Sequence, residues 1–429
     1  MSKGKELYRR TVRELSDRLV EAQRPIRILD AIKWDPSIQT TFFEKGFREE
    51  PAVTRDYYLQ RKLGFDADGK RQEFYDIGRD IQRRLGQFNP VGNIMRRICR
   101  EYRLVLRMLE ARGTPEFSLI SQELYGSAGD VFHPGDPTLA DLGQLMIEAL
   151  ANLDRSSALQ AEERTLGGED AAAILAERLG NYFQGSEIPV RVVVSDGIIA
   201  DAAAGSDYLK IRKEARFNQR DLRLLEIHEG WVHLATTING LSQPYCTFLG
   251  KGPPSATTTQ EGLAMLMEVV GFASYPGRLR RLTNRIQGVY MAEQGATFRE
   301  VFHYFREQGL NEEESFTDAT RVFRGSAPGC GPFTKDITYS KGFILIYNYI
   351  RLAVKRGLLN RIPLLFCGKT TLEDIRTLAD LVQEGLVIPP RFLPPQFADI
   401  SALTAWMCYS NFLNRLNLAQ IEADYAALL

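Results

Sequence analysis

The sequence predicts an α+β fold: a helix-rich body with a small, mostly antiparallel sheet and a helical N-terminal lobe. Three observations carry this expectation. Apolar residues recur at helical spacing through most of the chain, as in Leu7, Val12, Leu15, Leu19 and Val20. The period changes to that of a strand only between Pro189 and Arg212, where Val190, Val192, Val193 and Val194 crowd into one short run. Directly after that run a capped helix begins that carries two of the chain's four histidines.

In chain order, helices are expected at residues 3–23, 72–86, 93–112, 139–153 and 169–183, joined by Gly- and Pro-rich turns such as His133-Pro134-Gly135-Asp136-Pro137. These make a helical lobe over residues 1–186, and residues 187–429 form a second domain that holds the chemistry. Strands are expected at 190–194, 198–203 and 208–212. The last alternates apolar and polar residues and reads as a sheet edge, either plain or open to an added peptide strand.

Asn218, with Asp221 three residues on, forms a capping box for the next helix. That helix carries Leu225-Glu226-Ile227-His228-Glu229-Gly230-Trp231-Val232-His233. A hydrolytic zinc site takes three protein ligands from His and carboxylate and leaves one position open. His228 and His233, with Glu261 from Thr259-Gln260-Glu261-Gly262-Leu263-Ala264, supply such a set, for one zinc per chain. Glu229, beside the first ligand, is placed to act as general base.

The spacing is one residue longer than in the helical His-Glu-x-x-His signature. At about 100° per residue an i, i+5 pair diverges by roughly 140° on a regular helix, so the motif predicts a π turn, with Gly230 supplying backbone freedom. The competing reading is a surface helix with two unrelated histidines. Glu261 falls in the first turn of a helix capped by Thr258 or Thr259, where the helix dipole alone also favours an acid. Glu268 is the alternative ligand, or a support for one. His133 reads as a surface residue and His303, among Val301, Phe302, Tyr304 and Phe305, as a core one. Gly368-Lys369-Thr370-Thr371 resembles the end of a phosphate-binding loop but lacks its first glycine, and Cys330 has no neighbouring histidine to activate it.

Composition narrows the partners. Lys plus Arg and Asp plus Glu are both 54, so the net charge is zero and neither nucleic acid nor an anionic membrane is indicated. No stretch reaches the ~18 apolar residues of a membrane span. The N-terminal residues show no apolar core after their charges, and five scattered cysteines without a Cys-x-x-Cys pair fit a reducing compartment. A soluble, cytoplasmic protein is expected.

Four motifs occur in order: His228-Glu229-x-x-x-His233, Gln260-Glu261-Gly262-Leu263-Ala264, Arg321-Val322-Phe323-Arg324-Gly325 and Phe333-Thr334-Lys335-Asp336-x-x-Tyr339. Over residues 189–342 the set resembles the flavohemoglobin expression-modulating QEGLA-motif family. That family is related to the microtubule-associated tyrosine carboxypeptidases, which use zinc to remove a C-terminal tyrosine from tubulin. The resemblance implies a zincin-like metallopeptidase core, with His228, His233 and Glu261 as ligands and Glu229 as the catalytic glutamate. Nothing in the charge pattern indicates microtubules.

An exopeptidase acting at a peptide or protein C-terminus must hold the free α-carboxylate, and planar Arg suits that task. Arg321 and Arg324 lie three apart, on one face if helical, with Lys335 and Tyr339 beyond a glycine-rich loop. These four are the candidate clamp, and Tyr339 is also a candidate donor to the developing oxyanion. The alternative is that the arginines pair with Glu312, Glu314 or Asp318 on their own helix. The expected function is a zinc-dependent metallocarboxypeptidase. The rival reading is a metal-binding regulatory protein without turnover, against which Glu229 speaks, since three ligands alone suffice to bind metal.

Overall fold

Amphipathic helices build most of the protein, whose computed structural model describes residues 3–153, 162–198 and 200–426. Lys3–Gln23 turns Val12, Leu15, Leu19 and Ala22 inward. Ala67–Leu85 and Pro90–Glu110 pack beside it, the second started by the Asn89 side chain, which accepts from the Gly92 N–H, and by Pro90 in the first turn. Leu139–Leu153 and Gly168–Tyr182 follow at the expected places. One apolar core gathers Val12, Phe74 and Ile98 together with Ile227, Trp231, Phe333 and Ile346. The change of pattern near residue 186 is thus not a gap in the packing.

The sheet has three strands: β1 (Arg191–Ser195), β2 (Ala202–Ala204) and β3 (Tyr208–Arg212) in the order β1-β3-β2. Its longer pairing, β1 with β3, is parallel, and only β2 with β3 is antiparallel. The sheet is therefore mixed rather than mostly antiparallel. β3 is also the central strand, not the edge. Its alternation, with Leu209 and Ile211 fully buried, records one buried face, which a central strand and an edge strand share.

The edge that matters is β2. Gly205 N–H donates to Tyr208 O and Arg212 N–H to Asp201 O, so in antiparallel alternation the N–H and C=O groups of Ala202 and Ala204 point away from β3.

Two helices beyond the sheet set the site. Ala256–Val270 and Thr338–Lys355 cross with Gly262 against Gly342, where a Cβ on either would overlap the other's backbone. The contact brings Glu261 on one helix close to the start of the other, where Tyr339 stands. Among the described residues no helix is long and apolar enough to cross a membrane.

Candidate active site

The histidine segment is a π-helix, Glu226–Leu234. Its wider turn does what the i, i+5 spacing requires: the rings of His228 and His233 lie 4.8 Å apart at 85°. Ile227, Trp231 and Val232 anchor it to the large core, and Leu234 anchors it to the sheet's core. Gly230 has a different reason from the one expected. Its φ is not positive, but a Cβ there would overlap the end of the Leu179 side chain of Gly168–Tyr182, so glycine lets that side chain pack close.

Glu261 sits in the second turn of its helix, which begins at Ala256 just after Pro253 and Pro254, earlier than the threonines suggested. The helix dipole is too far away to explain it. Its Oε2 is 3.4 Å from Nε2 of both His228 and His233, and these are long for hydrogen bonds. That oxygen is buried and otherwise without a partner. Glu261 Oε1 accepts from Lys335 Nζ at 3.2 Å, which leaves Oε2 facing the histidines.

Glu268, the alternative ligand, is fully buried behind His228: its Oε1 is 2.7 Å from His228 Nδ1 and accepts from Arg278 at 3.0 Å. A carboxylate only accepts, so Nδ1 carries the proton and the Nε2 lone pair turns toward Glu261.

Three ligand-type atoms, two imidazole nitrogens and a carboxylate oxygen, therefore converge, all within 4.8 Å of one another. A tetrahedral zinc with bonds of about 2.0–2.1 Å holds its ligands about 3.3–3.4 Å apart. The two distances from Glu261 match that edge, and two imidazoles with a carboxylate are a donor set that suits zinc.

Charge follows the same logic. Burial would lower the His228 pKa, but the carboxylates of Glu261 and Glu268, with the charge of Glu229, hold it well above its usual value. Burial opposes ionisation of Glu261, yet Lys335 and both histidines keep its pKa well below the ordinary range. Glu268 is likewise brought down to about 2 against burial, by Arg278 and His228.

Glu229 stands at the rim. Its Oε2 accepts from Ala204 N–H of β2 at 3.0 Å, and its Oε1 is 4.0 Å from His228 Nε2. Tyr339 stacks on His228 with centroids 6.2 Å apart, and Lys335 Nζ lies 5.9 Å from the Tyr339 ring.

The two arginines part company. The helix Glu312–Phe323 stops before Arg324, whose ψ of 133° is extended, so the pair does not share a helical face. Arg321 gives Nε and Nη2 to Asp336 at 2.6 and 2.8 Å, and not to an acid of its own helix. Arg324 is buried over the Phe333 ring at 5.4 Å, with Nε unpartnered and, among the described residues, no carboxylate at ion-pair distance. Burial and the neighbouring Arg321 push its pKa down to about 10.

Sequence reasoning missed three participants: Asp336 as the partner of Arg321, Ala204 as the donor to Glu229, and Lys369. The last donates to His233 O, Thr236 Oγ1 and Gln260 Oε1. Its only signal was a phosphate-loop likeness that pointed elsewhere. His133 is exposed beside Asp136, as expected. His303 is exposed too, and not in the core: on Phe298–Glu307 the buried face is Val301, Phe302 and Phe305, and residue 303 points outward.

A helical body holds two histidines and a buried glutamate within ligand distance of one another, and comparison with known proteins gives the family. A profile described as microtubule-associated tyrosine carboxypeptidase matches residues 40–415, and the chain belongs to that family. No curated protein matches the sequence. Among solved structures, Trypanosoma cruzi metallocarboxypeptidase 1 is similar at 12% identity, covering 90% of each chain with a TM-score of 0.41.

Proposed function

We propose that the protein is a zinc-dependent metallocarboxypeptidase that removes the last residue of a peptide or protein, with one zinc held by His228, His233 and Glu261. Kinship with the QEGLA-motif proteins belongs to the same reading, as does a catalytic region drawn from residues 187–429 with residues 1–186 as its supporting lobe. The observation that carries the carboxypeptidase assignment is Arg324, a buried guanidinium without an acid beside a site that already has a base and a ligand set. A buried cation is costly unless paired, and a substrate's α-carboxylate is the pair it lacks.

When bound, zinc supplies a Lewis acid that polarises a carbonyl and makes water more acidic. The chain's own residues do the rest. The outward backbone groups of β2 other than Ala204 N–H hold the substrate extended, while Arg324 takes its terminal carboxylate and Arg321 and Lys335 add positive potential around it. Glu229 accepts a proton from the attacking water and hands it to the leaving amine. Its bond to Ala204 N–H ties the base to the strand that carries the substrate. The Tyr339 hydroxyl donates to the carbonyl oxygen as negative charge develops there.

The test uses matched free-acid and C-terminally amidated peptides, read by mass spectrometry, with metal analysis of wild type and Glu229→Gln. Wild type is expected to shorten the free acids by one residue and spare the amides. Glu229→Gln should keep about one zinc and lose on the order of 10²–10⁴-fold in rate. Equal cleavage of both peptide forms removes the carboxypeptidase assignment, and full turnover by the variant moves the base elsewhere.

A further inference from the structure

We propose that Lys369 is the brace that fixes the two ligand-bearing helices against each other, a positioning residue for the metal. The proposal rests on the zinc reading above. Nζ donates to His233 O at 3.0 Å on the π-helix, to Thr236 Oγ1 at 3.2 Å just past its end, and to Gln260 Oε1 at 2.8 Å. Gln260 is the neighbour of Glu261, so one ammonium joins the backbone of one ligand to the residue beside another. Thr236 Oγ1 closes the triangle at 2.7 Å from Gln260 Oε1.

An ammonium has three protons, and here three acceptors from two elements meet them. The π turn adds a reason. Widening the helix shifts carbonyls off their usual i+4 donors, and His233 O accepts from Thr236 Oγ1 at 3.1 Å and Thr237 Oγ1 at 2.7 Å one turn on, and from outside the helix from Lys369.

Both ends of the brace are fixed. Lys369 N–H donates to Leu249 O at 2.7 Å. A Cβ on Gly252 would overlap Lys369 Cβ, so the 249–252 loop presses directly on the stem. Among the described residues no carboxylate lies at ion-pair distance from Nζ. Its role is thus not that of a salt bridge, and its donors are spent on alignment.

Lys369→Met removes the three donors and keeps most of the stem. Zinc affinity, measured by chelator competition, is expected to fall about 10–100-fold, the usual effect of losing a group that orients a ligand. Gln260→Ala should weaken zinc in the same direction, and the double variant should lose less than the two single losses combined, because both act through one contact. A Lys369→Met protein with a lower melting temperature but wild-type zinc affinity overturns the brace. So does one whose KM rises while zinc affinity stays the same. Where Lys369→Met does not fold, Gln260→Ala carries the test, and unchanged affinity there overturns the proposal. Wild type that takes up no zinc defeats the zinc reading itself, a result recognisable without any variant.

Discussion

Two buried charge clusters lie side by side, and they are incomplete in opposite senses. Around the π-helix, Glu261 Oε2 is buried without a hydrogen-bond partner and faces two imidazole nitrogens at 3.4 Å. Around the Glu312–Phe323 helix, four guanidiniums share two carboxylates: Arg281 and Arg285 hold Asp318, Arg321 holds Asp336, and Arg324 Nε has nothing. The first lacks a cation and the second an anion. Burying either defect costs free energy in the empty protein. On the proposed function each would be recovered on binding, one by metal and the other by a substrate's terminal carboxylate, with Tyr339 and Lys335 at the junction.

Of the changes that separate the two clusters, breaking the second alone has the larger expected effect. Arg324→Ala should cost about 2–4 kcal/mol in kcat/KM on free-acid peptides, as for one partner removed from a desolvated charge pair, and little on amidated ones. Its zinc content should stay at the wild-type level. A variant that loses zinc as well would show that the two clusters are a single unit.

The converse change is smaller. Glu268→Gln keeps the shape behind His228 and removes the charge that orients its imidazole, so zinc affinity should fall about 10–100-fold. The preference for free-acid over amidated peptides should survive in whatever activity remains. Unchanged affinity in a chelator competition would reduce Glu268 to a packing group.

The first cluster was far more legible in the sequence than the second. His228, Glu229 and His233 lie within six positions of each other, and their spacing leaves the backbone one solution, the π turn, which follows from helix geometry alone. The Asn218 cap was equally local and stands as read, its side chain accepting from Asp221 N–H. Glu261 was found through its motif, though its place in the second turn was not, because the helix start depends on Pro253 and Pro254.

The pairing of Arg321 with Asp336 was hidden because the loop between them must fold back before the two meet. Lys369 reaches Gln260 across 109 positions, and no periodicity records such a contact. The sheet order was lost in the same way. Alternation reports which face of a strand is buried and says nothing about how many neighbours the strand has. The candidate ligands and base were visible through local spacing, whereas the residues that hold them were fixed by tertiary packing.

The smallest expected effect sharpens the comparison by titration. Burial opposes ionisation of Asp336, but Arg321 and then Arg285 hold its pKa well below the usual carboxylate range. Its folded pKa is thus lower than its unfolded value of about 3.9. For a depressed acid the stabilisation is complete above the unfolded pKa and declines as pH falls below it toward the folded one. In metal-free protein, the difference in unfolding free energy between wild type and Asp336→Asn should therefore be constant above about pH 5. It should shrink below about pH 4, with a slope of at most about 1.4 kcal/mol per pH unit for the one proton involved. Denaturant unfolding of both proteins from pH 6 to pH 3 gives that slope. Parallel curves would mean that Asp336 carries no such shift, and Arg321 would then be as short of an anion as Arg324. The second cluster would have two empty places for a carboxylate, and Arg321→Ala should then impair free-acid cleavage as strongly as Arg324→Ala does.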